Sequence, residues 1–108
     1  MKWPKSYRIG YRIMRLVSWD RDESRAADLA GRTNTGWRIT QYCSDRAVCE
    51  QANTILHEVI HNILTTAQYD VGDDTKEETI IQCIANGLCT FAYQNRHLWR
   101  KLGKAVRM

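Results

Sequence analysis

Ile55-Leu56-His57-Glu58-Val59-Ile60-His61-Asn62-Ile63-Leu64 is the stretch on which the reading of this chain turns. Its apolar residues recur at helical spacing, and the stripe extends back through Ala52 and Val48. Ser44 or Asp45 is placed to cap this helix, which the pattern carries to about Ala67. Within it stands H-E-x-x-H. Residues four apart lie one turn apart on one helix face, so His57 and His61 can aim both imidazoles at one Zn²⁺. Glu58 lies beside them, positioned to contact a water held by the metal.

Working outward towards the N-terminus, Tyr7, Ile9, Tyr11 and Ile13 alternate with Arg8, Gly10 and Arg12. Period two predicts a strand with one buried face, long for a single strand; Gly10 marks a bend or bulge, and Arg15–Trp19 reads as a continuation or a second strand. Residues 20–34 are charged and turn-rich and read as a loop, with a short helix at Glu23–Ala30. Trp37, Ile39 and Gln41 alternate with Arg38, Thr40 and Tyr42, a second strand over Trp37–Cys43. Beyond the histidines, Tyr69–Asp74 is an acidic loop. Asp74 or Thr75 then caps a helix whose apolar face is Ile80, Ile81, Ile84, Ala85 and Leu88, ending near Asn95. A last short helix covers Arg96–Val106. Strands followed by helices predict an α+β domain, a small antiparallel sheet packed on two or three helices including the histidine helix.

The 108 residues fit one domain, 1–108. With 44% hydrophobic and 26% charged residues, the composition is that of an ordinary globular protein. No apolar run approaches the ~20 residues of a membrane span, which argues against a membrane protein. The polar, basic N-terminus does not read as a signal peptide, so a cytoplasmic location is expected. Cys43, Cys49, Cys83 and Cys89 are then expected to be reduced, buried thiols. A net charge of +4 and a basic cluster at Arg96, Arg100, Lys101, Lys104 and Arg107 leave an acidic partner such as nucleic acid open, although no nucleic-acid motif supports one.

A catalytic zinc site normally takes three protein ligands and leaves a position for water. A third histidine six residues after His61 is ruled out by Ala67, and the one remaining histidine is His97. A carboxylate from the following helix is the common alternative. Glu77 and Glu78 both lie in its first turn and project about 100° apart, so one of the two is expected to ligate. Glu78 shares the stripe of Ile81 and Ala85, but helical phase does not exclude Glu77.

H-E-x-x-H followed by E-x-x-x-D/N resembles the gluzincin class of zinc metallopeptidases. Thr54–His61 looks like their motif helix. Glu78-Thr79-Ile80-Ile81-Gln82 looks like their glutamate helix, with Gln82 in place of the usual Asp or Asn. The layout is similar to small zincin-like proteins of phages and prophages, trimmed relatives of ImmA/IrrE-type and SprT-like metallopeptidases. The resemblance covers most of Tyr7–Asn95 and is specific at the motif helix and at Glu78, which it favours over Glu77.

The resemblance implies a zincin-like fold, one Zn²⁺ per chain held by His57, His61 and Glu78, and hydrolysis of a peptide or protein substrate by a zinc-activated water with Glu58 as general base. A transition-state stabiliser is then required, and His97, Tyr69 and Tyr93 are candidates by residue type. Trp37, Arg38, Ile39, Thr40 and Gln41 would form the edge strand along which the substrate adds. Two other functions compete: a catalytically degenerate zincin that binds a protein partner, and a small basic nucleic-acid binder.

Overall fold

The computed structural model describes residues 1–20, 22–23, 31–34, 36 and 38–106. Among the described residues it is an α+β arrangement of a four-stranded sheet and three helices. Strands β1 (Ser6–Ile9) and β2 (Arg12–Trp19) form a hairpin. The turn between them is Gly10-Tyr11, with Gly10 at φ 58° in the left-handed region that suits glycine. The alternation from Tyr7 onward therefore belongs to two strands, not one bent strand.

The chain returns as β3 (Gly31–Asn34) and β4 (Ile39–Cys43), giving the order β1-β2-β4-β3. β4 pairs antiparallel with β3 but parallel with β2, Arg15 opposite Ile39 and Trp19 opposite Cys43. The sheet is mixed, where an antiparallel one is expected from the sequence. The long 20–30 segment allows this, because parallel neighbours need a crossover longer than a hairpin turn. The expected helix at Glu23–Ala30 falls largely on residues 24–30, outside the described residues.

The expectations for residues 31–43 require correction. Gly31–Asn34 is an edge strand, not loop. The strand following it starts at Ile39, because Arg38 stands at φ 57°, outside the extended region. Trp37 lies outside the described residues. Arg38 to Gln41 do not form a sheet edge: β4 is flanked by β2 on one side and β3 on the other.

Helix α1 (Val48–Thr66) lies across the sheet, α2 (Asp74–Gln94) packs on α1, and α3 (Arg96–Ala105) follows α2. Neither expected α1 cap is used; the helix starts from Ala47 with no side-chain cap. Asp73 caps α2, its side chain accepting from Lys76 N. Ile60, Ile81 and Ala85 form the buried contact between α1 and α2, bordered by Leu56, Leu64 and Leu88. Ile80 and Ile84, expected on the core face, are nearly half exposed. Met14, Trp19 and Cys43 fill the sheet side. All four cysteines are free, and Cys43 alone is buried. Among the described residues, no helix is long and apolar enough to cross a membrane.

Candidate metal centre

α1 and α2 meet where α2 begins, and this sets Glu78 against the middle of α1. His57 Nε2 lies 3.0 Å from Glu78 Oε2, His61 Nε2 lies 2.5 Å from Glu78 Oε1, and the two Nε2 atoms are 3.2 Å apart. Tetrahedral zinc with bonds of about 2.0–2.1 Å holds its ligand atoms roughly 3.4 Å apart. The His57–Glu78 and His57–His61 separations are near this, and the His61–Glu78 pair is tighter, at hydrogen-bond contact. Glu77 does not join the cluster, so of the two glutamates the structure brings Glu78 to the histidines. Glu78 owes little of this to burial, with a side chain 58% exposed. What places it is the phase of α2, with Ile81 fully buried one turn further on.

Gln82 lies one turn after Glu78, and its Oε1 is 2.9 Å from His57 Nδ1. Its amide orientation is fixed from behind, because Gln82 Nε2 donates to Asn53 Oδ1 (2.9 Å) and Asn86 Oδ1 (2.8 Å). Asn53 in turn donates to Asn86 Oδ1 at 2.7 Å. Gln82 Oε1 can only accept, so His57 carries its proton on Nδ1. In the neutral ring, Nε2 then offers a bare lone pair towards Glu78 and His61. His61 Nε2 can meet Glu78 Oε1 by donating its proton, and with that proton gone all three groups would turn lone pairs to a cation placed among them. Two nitrogens and one carboxylate oxygen are a common ligand set for catalytic zinc. The residues present fit the ion.

Glu58 lines the same groove as the histidines and lies against β3. It is 7% exposed, and its Oε2 accepts from Thr33 Oγ1 at 2.8 Å. Burial pushes its carboxyl above the usual carboxylate range, opposed by the Thr33 hydrogen bond and by His61 and His57. A carboxyl whose proton is held more tightly than usual, beside this cluster, is suited to exchange a proton with a bound water. A polar chain continues behind it. Thr33 Oγ1 is 3.3 Å from Thr40 Oγ1, which is 2.6 Å from Tyr7 OH, and Asn62 Nδ2 donates to Tyr7 OH at 2.6 Å. Asn62 Oδ1, also buried, has no partner.

An open groove of about 580 Å³ joins these groups. Gly31, Arg32 and Thr33 of β3 form one wall, α1 forms the floor from Asn53 to Thr65, and Glu78 and Gln82 of α2 form the other wall. Gly31 permits the close approach of β3 to α1: a Cβ there would overlap Thr54 Cγ2 and come within 2.8 Å of Gln41 O. Tyr69, Tyr93 and His97 do not line the groove. Tyr69 and Tyr93 are 62% and 73% exposed, and His97 is exposed on α3. At 1.5 Å per residue, α2 carries position 93 roughly 22 Å from Glu78 along its axis. Of the residues expected at an edge strand, Trp37 is not described and Arg38 to Gln41 are absent from the groove lining; β3 stands there instead.

Sequence reasoning misses Gly31, Thr33, Asn53 and Asn86. The turn-forming composition of Thr33-Asn34-Thr35-Gly36 hides β3, and its period-two burial emerges only once β4 is paired with it. Comparison with protein-family models, curated proteins and solved structures finds no match.

Proposed function

We propose that this chain is a minimal zinc-dependent peptidase of zincin type. The observation that carries the reading is the convergence of His57, His61 and Glu78, with ligand atoms all within 4.8 Å of one another, beside the buried Glu58. When bound, zinc would lower the pKa of a coordinated water and polarise a substrate carbonyl. His57, His61 and Glu78 hold the ion, and Gln82 fixes the tautomer and aim of His57. Glu58 takes the proton of the attacking water and passes it to the leaving amine, while Thr33 holds its carboxylate in place. A peptide adds along the outer side of β3, where the sheet ends and the groove begins.

A second reading, a zinc-binding module without turnover, is favoured by one observation: Tyr69, Tyr93 and His97 all lie outside the groove, so none of the expected transition-state stabilisers is in reach. Two measurements separate the readings. Purified protein is expected to hold close to one zinc per chain, a content lost in Glu78→Ala. Wild type is expected to cleave an unstructured protein such as casein, and Glu58→Gln is not. Zinc without cleavage selects the binding module, and no zinc even after reconstitution removes both.

A further inference from the structure

Helix α3 is unlike the rest of the chain. None of its residues is buried, and its principal contact is with α2. At 100° per residue its side chains separate cleanly. Leu98, Trp99, Leu102 and Val106 fall within about a third of the circumference. Arg96, Arg100, Lys101 and Lys104 occupy the remainder, with Arg96 and Lys101 bordering the apolar stripe. The stripe is uncovered: Leu98 is 47%, Trp99 42%, Leu102 46% and Val106 79% exposed. Trp99 rests edge-on against Phe91 of α2, ring centroids 6.1 Å apart, which anchors one margin of the stripe on α2 and leaves Leu98, Leu102 and Val106 partly exposed. Beside it, the exposed Tyr93 ring lies under the Arg96 guanidinium at 5.4 Å.

Charge narrows what can cover this face. No aspartate or glutamate follows Glu78 in the sequence, while five arginines and lysines do. A second copy of α3 would set Arg96 and Lys101 against their own kind. A nucleic acid would satisfy the cations but leave Leu98, Leu102 and Val106 in water. An anionic lipid surface satisfies both faces. Its acyl boundary takes the apolar stripe, and its headgroups take the cations, which reach outward along their aliphatic stems. Trp99 and Tyr93 are the aromatic types that favour that boundary.

We infer that α3 is an interfacial helix that docks the protein on anionic lipid bilayers. The docking surface is Leu98, Trp99, Leu102 and Val106, framed by Arg96, Arg100, Lys101 and Lys104. It shares no residue with the metal centre, and its test is independent of peptidase activity.

The experiment is co-sedimentation of the intact protein with vesicles of phosphatidylcholine alone and of phosphatidylcholine mixed with phosphatidylserine. Wild type and Glu58→Gln are expected to sediment with the mixed vesicles, to remain free with phosphatidylcholine alone, and to be released by salt. Each cation near an anionic surface strengthens binding about fivefold, so Arg100→Gln with Lys104→Gln lowers partitioning roughly 25-fold. Leu98→Gln with Leu102→Gln is expected to lower it at least about tenfold while leaving the circular dichroism spectrum unchanged, since both side chains are already exposed. Failure of wild type to sediment with the mixed vesicles overturns the inference. So does binding that survives the leucine substitutions and is competed away by duplex DNA, which makes the helix a polyanion site. A vesicle-free dimer that the leucine substitutions dissociate, without lipid binding, assigns the face to a second copy instead.

Discussion

Gln82 Oε1 and His57 Nδ1 are 2.9 Å apart, and Gln82 is itself locked by Asn53 and Asn86. A rigid acceptor behind a metal-binding imidazole fixes the ring's tautomer and raises its basicity. Gln82→Leu removes the acceptor at similar volume and leaves all three proposed ligands in place. Zinc affinity is expected to fall about 10–100-fold, the usual cost of losing such a partner. Competition with a chromogenic chelator measures this directly. Unchanged affinity would show that Gln82 does not orient His57.

Glu58 is held as a buried carboxyl whose pKa burial raises. The folded chain therefore binds that proton more tightly than the unfolded chain does. The associated stability is fully present below the ordinary carboxylate pKa near 4.5 and is lost as pH rises through the raised folded value. Above that raised value, burial makes the charged form of Glu58 a cost to the metal-free protein. Glu58→Gln keeps an acceptor for Thr33 and removes the charge. The metal-free variant is expected to melt at higher temperature than wild type at pH 7, with the difference closing below pH 4.5. Equal melting temperatures at pH 7 would contradict the burial argument.

The helices and the ligand set are the parts most legible in sequence, because an amphipathic helix writes its contacts at fixed spacing. His57 and His61 follow from that period, and a short loop between two helices adds Glu78 or Glu77; the family resemblance favours Glu78, and the structure brings Glu78 to the histidines. Glu78 illustrates the limit. Helical phase places it on the core-facing stripe, yet its carboxylate meets the histidines from an exposed position on α2. The sheet is less legible because its pairing is non-local. Nothing in Ile39–Cys43 alone distinguishes an edge strand from one flanked by β2 and β3, and the parallel register of β2 with β4 depends on partners far away in sequence. Thr33 was hidden for the same reason: its role is defined by Glu58, 25 residues away.

Gly31 is the point at which β3 touches α1. A methyl group there would overlap Thr54 and crowd the Gln41 carbonyl, and the neighbouring backbone of β4 cannot yield without disturbing its pairing. Gly31→Ala is expected to destabilise the protein by about 1–3 kcal/mol, the range for overpacking. A parallel loss of zinc affinity is not expected, because β3 supplies none of the three ligands. Urea denaturation and chelator competition on the same variant test both statements. Wild-type stability would show that β3 does not approach α1 this closely.

Tyr7 ties the β1–β2 hairpin to the histidine helix. Its hydroxyl joins Thr40 Oγ1 at 2.6 Å and accepts from Asn62 Nδ2 at 2.6 Å, in a region where Thr40 is fully buried and Asn62 is 2% exposed. Tyr7→Phe preserves the ring and removes the shared oxygen. Asn62 Nδ2 is left with a 3.4 Å contact to Thr40 Oγ1, and its Oδ1 is already without a partner. Leaving a buried donor unsatisfied costs about 1–3 kcal/mol, so Tyr7→Phe is expected to lower stability by that amount in urea denaturation. Removing Asn62's polarity in the same background, as Tyr7→Phe with Asn62→Leu, is expected to cost less than the sum of the single substitutions, because the two side chains depend on one another. Additive losses would show that Tyr7 and Asn62 contribute independently and that the buried chain from Glu58 to Asn62 is not an energetic unit.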